Sequence, residues 1–555
     1  MTEKNSDHSI QNDFPPTSGD DLDSVSNINM NRREFITLGA LGTLSTLLIG
    51  CQTTQSTPQG TFKPTATAAQ PTAQPTPGEN DWAQLARTLR GPLVRPDSPR
   101  YPTALQLFDP RYDSVHPAAI AYCASATDVQ TCLAFAHRFA VPFAIRCGGH
   151  SYAGYSTTTG LIVDVTGMHG VTLDSTARTA TIGAGTRLID VYAALAQQGM
   201  VLPAGSCPTV GISGLALGGG VGVLGRKFGL TCDNLLSAQV VVADGRVLTC
   251  DANRDPNLFW ALRGGGGGNF GVVTSFTFRV YPLSTVSLFT LRWPWSSAAS
   301  VVNAWQHWAP QGPDELWSNC VLLTASNKSS APIVLVNGVY VGGVAPLNTL
   351  LQQLTSQINA APTSNYVSGA TLLDAMLYEA GCSGKTIDQC HLPSQNPQGQ
   401  VARDTSGVKS AYYTSPLPAQ GINNLIAAIS HRQSSPILGD GGIGMDSYGG
   451  AINRVATDAT AFAHRNALFS SQFSASWKAS DPASVVTANR DWLNATWQSM
   501  SQYASGASYQ NYVDPDLANW QEAYYGPNLP RLQHIKATYD PTNFFHFAQS
   551  ITPAP

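Results

Sequence analysis

The segment RCGGHSYAGYS, Arg146 to Ser156, sets one histidine among glycines and small or hydroxylated residues instead of in an apolar pattern. Such an imidazole is either a hydrogen-bonded structural group or a group presented to a ligand, because a chain without Cβ atoms can approach a partner closely. Three glycine runs raise the second reading: Gly148-Gly149, Gly218 to Gly222, and Gly264 to Gly268. Tight packing of strands and turns explains one run. Three point to a backbone lying against a large ligand, with N–H groups free to cradle a pyrophosphate. Two stretches, from Gly220 to Gly225 and from Gly266 to Gly271, have the spacing G-x-G-x-x-G. A dinucleotide fingerprint needs a strand before it and a helix after it, and neither stretch has that context. No Gly-Lys-Ser/Thr follows either run, so a P-loop is excluded as well.

The ten cysteines contain no C-x-x-C pair, which disfavours structural zinc. Cys382 and Cys390 flank the polar loop CSGKTIDQC, as a disulfide or as two free buried thiols. Net charge is -4, with 31 Lys+Arg against 35 Asp+Glu, so there is no basic field to attract nucleic acid or an anionic membrane surface.

A length of 555 residues predicts two lobes and a tail. Near the start, Arg32-Arg33 precede an apolar run ending Leu-Ile-Gly-Cys51. This resembles a twin-arginine export signal with a lipobox, over residues 1–51, whose cysteine carries the lipid anchor; translation starts at Met1 or Met30. Residues 52–80 are rich in Thr, Pro, Gln and Ala and read as an unfolded stalk. From residue 81 to 284, helical periodicity in TDVQTCLAFAHRFA and RLIDVYAALAQQG alternates with strand patterns in GLIVDVTGM, TATIGAG and GVVTSFTFRV. AQVVVADGRVLTC reads as a hairpin turning at Asp244-Gly245. A second lobe over residues 285–505 mixes strands such as APIVLVNGVYVGG with helices such as QGINNLIAAISHR. Residues 506–555 are aromatic and turn-rich, with too little apolar periodicity to stand alone. The predicted class is α+β.

Four ordered segments, RCGGHSYAGYS, LPAGSCPTVGISGLALGGGVGVLGRKFGLTCDNL, DPNLFWALRGGGGGNFGVVTSF and YYGPNLPRLQHIKATYDPTNFFHFAQSI, together resemble the berberine-bridge-enzyme-like flavin oxidases. These belong to the vanillyl-alcohol-oxidase superfamily, with a PCMH-type FAD-binding domain. The resemblance runs from about residue 81 to the C-terminus. It implies an FAD lobe at 81–284, a substrate lobe with a mixed or antiparallel sheet covered by helices, and a C-terminal segment that returns to the FAD lobe. It also implies bicovalent FAD, bound through His150 and Cys207. Arg146, Gly148, Gly149, Ser151, Thr209, Gly211 and Gly214 fall in the motifs that surround FAD. Val273, Asn543 and Phe545 match further cofactor contacts.

The implied chemistry is oxidation of an alcohol or sugar hemiacetal by hydride transfer to flavin. Tyr512 matches the base, Tyr509 is its neighbour and Asp446 is the carboxylate that assists. An ordinary phenol titrates near about 10, so Tyr512 needs help to act near neutrality. Tyr152 and Gln472 match substrate contacts, and Val210 matches a position that admits O2 when small, with H2O2 as product. The expected protein is an exported oxidase, lipid-anchored at the bacterial cell surface or the periplasmic side of the membrane, acting on oligosaccharides or related alcohols. A flavin dehydrogenase that passes electrons to a quinone, and an inactive surface binding lipoprotein, are the alternatives.

Overall fold

The computed structural model describes residues 75–555. The twin-arginine pair, Cys51 and most of the stalk lie outside the described residues. The first helix, Glu79–Thr88, starts just inside the segment read as stalk, and its first turn is closed by the Gly78 amide donating to the Asp81 carboxylate at 2.9 Å. No helix among the described residues is long and apolar enough to cross a membrane.

The first lobe holds two main sheets and a small two-stranded one, Met200–Val201 with Tyr281–Pro282. In the four-stranded one, Ala119–Tyr122, Leu161–Asp164 and Phe143–Arg146 run parallel, and Leu93–Val94 is an antiparallel edge. Helix Ala126–Phe139 crosses over from the first parallel strand, capped by the Ser125 hydroxyl accepting from the Asp128 amide at 3.2 Å. Strand Leu161–Asp164 is buried at every position, as expected of a parallel strand covered on both faces. The histidine motif leaves the carboxyl end of strand Phe143–Arg146, where open α/β sheets hold their ligands. The five-stranded sheet is antiparallel, in the order Val171–Asp174, Thr179–Gly183, Val272–Arg279, Leu235–Val241, Val247–Asp251. Its last two strands form the expected hairpin, with Gly245 at φ 83.

The second lobe is one seven-stranded antiparallel sheet, from Ser364–Thr371 through Thr285–Trp293, Ile333–Tyr340, Leu316–Leu323, Gly441–Ser447 and Phe469–Ser476 to Ser406–Tyr413. One face packs under helices Ala298–Trp308, Val344–Thr355, Ala419–Ser434 and Ala483–Ser501, burying Trp305, Leu347, Leu425, Phe473 and Trp492 in a core of its own. Each such side chain contributes roughly 1.5–3 kcal/mol. Strand alternation sends Asn319, Val321, Asn337, Gly444 and Gln472 to the other face, towards the first lobe.

The tail does not make its own core. Leu517, Tyr524, Leu532, Ile535, Phe545 and Ile551 complete that of the first lobe. An ion pair between Lys536 and Asp540 anchors it, with both side chains fully buried. The Lys536 ammonium donates to Asp540 at 2.7 Å and to the carbonyls of Asn269 and Phe545 at 2.6 Å, so every proton has an acceptor. Cys382 and Cys390 are joined as a disulfide, with Cα atoms 5.9 Å apart.

Candidate active site

The two motif loops meet backbone to backbone. A Cβ on Gly148 would collide with the amide of Gly211, and one on Gly211 with the Cys147 thiol, so only glycines let the loops touch. That approach places Thr209 between the two candidate attachment residues. Its hydroxyl lies 2.9 Å from Nε2 of His150 and 3.9 Å from the sulfur of Cys207. Phe108 stacks on the His150 ring, with centroids 4.2 Å apart.

These loops form one wall of a cavity of about 460 Å³. Among the residues singled out in the sequence, His150, Cys207, Gly148, Gly149, Ser151, Gly211, Gly214, Val273 and Phe545 line it. So do Tyr152, Val210, Gln472, Tyr509 and Tyr512. Arg146, Thr209, Asp446 and Asn543 stand behind the wall. Arg146 is held at 2.5 Å by Asp164 across neighbouring parallel strands, Asp446 is buried on strand Gly441–Ser447, and Asn543 turns the tail at φ 54.

The residues present fit FAD. Gly149, Gly266 and Gly268 line the cavity at positive φ, a conformation that side chains disfavour. In front of Gly214 there is open space where a Cβ would project. Phe143, Tyr155, Phe545 and Phe547 add aromatic lining further along.

The middle glycine run does something different from what its sequence suggests. The space beside Gly218 is filled by the Asn511 side chain, that beside Gly219 by Phe462, and that beside Gly220 by Thr231. The amides of Gly220 and Val221 donate to the Tyr509 hydroxyl, at 2.9 and 3.2 Å, and are not available to a pyrophosphate. Asn511 Nδ2 donates to the same oxygen at 2.9 Å. The run is therefore a socket for the tail.

Tyr509 is buried, which pushes its phenol up from the ordinary value. Its ring meets that of Tyr512 edge-on, with centroids 4.9 Å apart. Tyr152 lies across the cavity with its ring 6.1 Å from Tyr512, and Gln472 Nε2 is 3.5 Å from the Tyr152 hydroxyl. Gln472 and Asp446 sit two residues apart in register, opposite Gly444 and Ser470 on paired strands, so both face the cavity side of the sheet. Asn319, opposite both Asp446 and Asn337, joins that row.

Sequence reasoning did not single out Phe108, Asn319 or Asn337. The signal for the asparagines is one amide side chain inside each of the otherwise mostly apolar strands LWSNCVLL and IVLVNGVY.

A two-lobed α+β scaffold whose cavity is lined by glycine loops, a histidine and tyrosines defines a cofactor-dependent oxidoreductase. Residues 117–251 match the FAD binding domain family, and residues 508–552 match the berberine and berberine-like family. The uncharacterized FAD-linked oxidoreductase YgaK of Bacillus subtilis is 34% identical over 84% of this chain and 97% of its own length. The BBE-like 1 structure from Physcomitrella patens is 32% identical with a TM-score of 0.77, covering 85% of this chain and 99% of that one. A xylooligosaccharide oxidase from Myceliophthora thermophila C1, solved with xylobiose, is 29% identical with a TM-score of 0.75, covering 85% of this chain and 99% of that one. The chain belongs to the berberine-bridge-enzyme-like family of FAD-linked oxidases.

Proposed function

We propose that this enzyme oxidises a hydroxyl of a carbohydrate-type substrate at the Tyr512 end of the cavity and passes the electrons to O2, giving H2O2. The convergence of Tyr152, Gln472 and Tyr512 on a cavity also lined by His150 and Cys207 carries the reading. The likeness to a xylooligosaccharide oxidase supports the substrate class.

Tyr512 takes the proton of the substrate hydroxyl while its own phenolic proton passes to Asp446, which accepts the phenol's hydrogen bond and ends as the proton holder; bare negative charge without that transfer would only raise the phenol's pKa. Tyr509 is a strut, because its oxygen already accepts three N–H donors. Tyr152 and Gln472 orient the hydroxyl. Bound FAD supplies the hydride acceptor. Val210 lines the cavity as a small side chain, which supports access for O2. The proposal includes export through the twin-arginine-type signal and lipidation of Cys51, with the enzyme anchored at the bacterial cell surface or the periplasmic side of the membrane. A carbohydrate panel read by oxygen consumption tests it. Reoxidation of the reduced enzyme by O2 over minutes or longer would sink the oxidase.

The proposed attachment is bicovalent. Variants His150→Ala and Cys207→Ala should each keep flavin in the acid-precipitated pellet through the remaining bond, and the double variant should release it. A colourless wild-type pellet removes the tether altogether, while a colourless pellet from either single variant removes the bond assigned to the other residue.

A further inference from the structure

Where the lobes meet beside His150, one guanidinium is held by one carboxylate, and a second carboxyl is buried opposite them. Arg111 donates through Nε and Nη2 to Asp109, at 2.8 and 2.5 Å. Asp404 faces the same pair from the second lobe, with its Oδ2 buried and without a hydrogen-bond partner. The contacts around it tie the lobes together. The Asp404 amide donates to the Phe108 carbonyl at 3.3 Å, and Arg111 donates to the Ser406 carbonyl at 2.8 Å. Arg403 donates to the Leu107 carbonyl at 2.7 Å and pairs through both terminal nitrogens with Asp113.

This junction touches the site at two points. Phe108 is the ring stacked on His150, and its amide donates to the Gly149 carbonyl at 3.0 Å. The Tyr152 carbonyl accepts from the Tyr112 hydroxyl at 2.7 Å, and Arg111 Nη2 lies 3.4 Å from it.

We propose that Asp404 is a protonated positioning residue: neutral, it lets Asp109 hold Arg111 and keeps loop 107–113 against residues 403–406, and its ionisation loosens that junction and shifts Phe108 and Tyr152. A neutral carboxyl can be buried beside Asp109, whereas two carboxylates there compete for a single cation. The remaining groups facing the junction are already committed. Arg403 pairs with Asp113, Arg490 pairs with Asp516, and the ring of Trp477 lies 5.3 Å from the Arg111 guanidinium. Burial first, and then the charge of Asp109, push the Asp404 carboxyl up to about 7, against hydrogen bonds from Thr405 and Ser406.

The sign follows. An acid whose folded value is raised from 3.8 to about 7 keeps its proton in the folded chain after the unfolded chain has lost it. Stability therefore falls as pH rises across that window and levels off above it.

The test is hydrogen exchange by mass spectrometry on the holoenzyme, read on peptides covering 107–113, 149–155 and 403–406 and corrected for intrinsic rate. In the wild type, exchange in these peptides should step up several-fold around pH 7. Asp404→Asn should remain at the protected level throughout, and its melting temperature relative to wild type should rise from pH 5 to pH 7.5 and then stay level. Asp109→Asn, which removes the facing charge, should move the step to lower pH. A wild-type step that persists in Asp404→Asn, or its absence in the wild type, overturns the proposal. Neither readout needs substrate or turnover, so it can fail while the oxidase reading stands, and the reverse.

Discussion

Tyr512→Phe is expected to slow flavin reduction by about 10²–10⁴-fold, the usual contribution of a positioned general base, and to leave the flavin spectrum nearly intact. The spectrum should hold because phenylalanine keeps the edge-on contact with Tyr509, and because His150, Cys207 and the glycine loops are untouched. Anaerobic rapid mixing with the best substrate of the carbohydrate panel measures it. An unchanged reduction rate removes Tyr512 as the base. Tyr509→Phe gives a different signature. It leaves the amides of Gly220 and Val221 without their acceptor, so its effect falls on folding and flavin retention as well as on rate.

The second large effect lies away from the chemistry. Lys536→Met is expected to destabilise the enzyme by about 3–5 kcal/mol, because removing one partner of a buried pair leaves the other charge uncompensated. Asp540 keeps its two backbone donors, the amides of Phe544 and Phe545, but loses its cation. The carbonyls of Asn269 and Phe545 lose a charged donor in the same step. Denaturant unfolding of the two proteins measures the difference. A loss below about 1 kcal/mol, the scale of an exposed pair, would show that the pair does not anchor the tail.

Legibility in the sequence tracks how local the determining interactions are. Helix Ala126–Phe139 is plain from periodicity, and its cap, Ser125, is adjacent in the chain. Strand Val272–Arg279 and the hairpin at Gly245 are equally local. The run Gly218 to Gly222 shows the limit. Glycine admits any close neighbour, and nothing nearby says whether that neighbour is a ligand or a tyrosine 289 positions away. The same holds for Arg111 and Ser406, which lie 295 residues apart in a contact with no local pattern. His150 and Cys207 were legible as candidates because their surroundings are written next to them. Phe108 was not, since its role depends on a loop folding back onto the histidine.

The docking of the tail into the Gly218 to Gly222 socket also sets an order of events. Contacts this distant in sequence form late, after the segments between them have collapsed. Up to residue 507 the chain holds both motif loops and the second lobe's sheet, but not Tyr512, Phe545 or the Lys536 anchor. The chamber is walled on every side only once this segment has settled on the first lobe, so completing the cavity and completing the first lobe's core are one event.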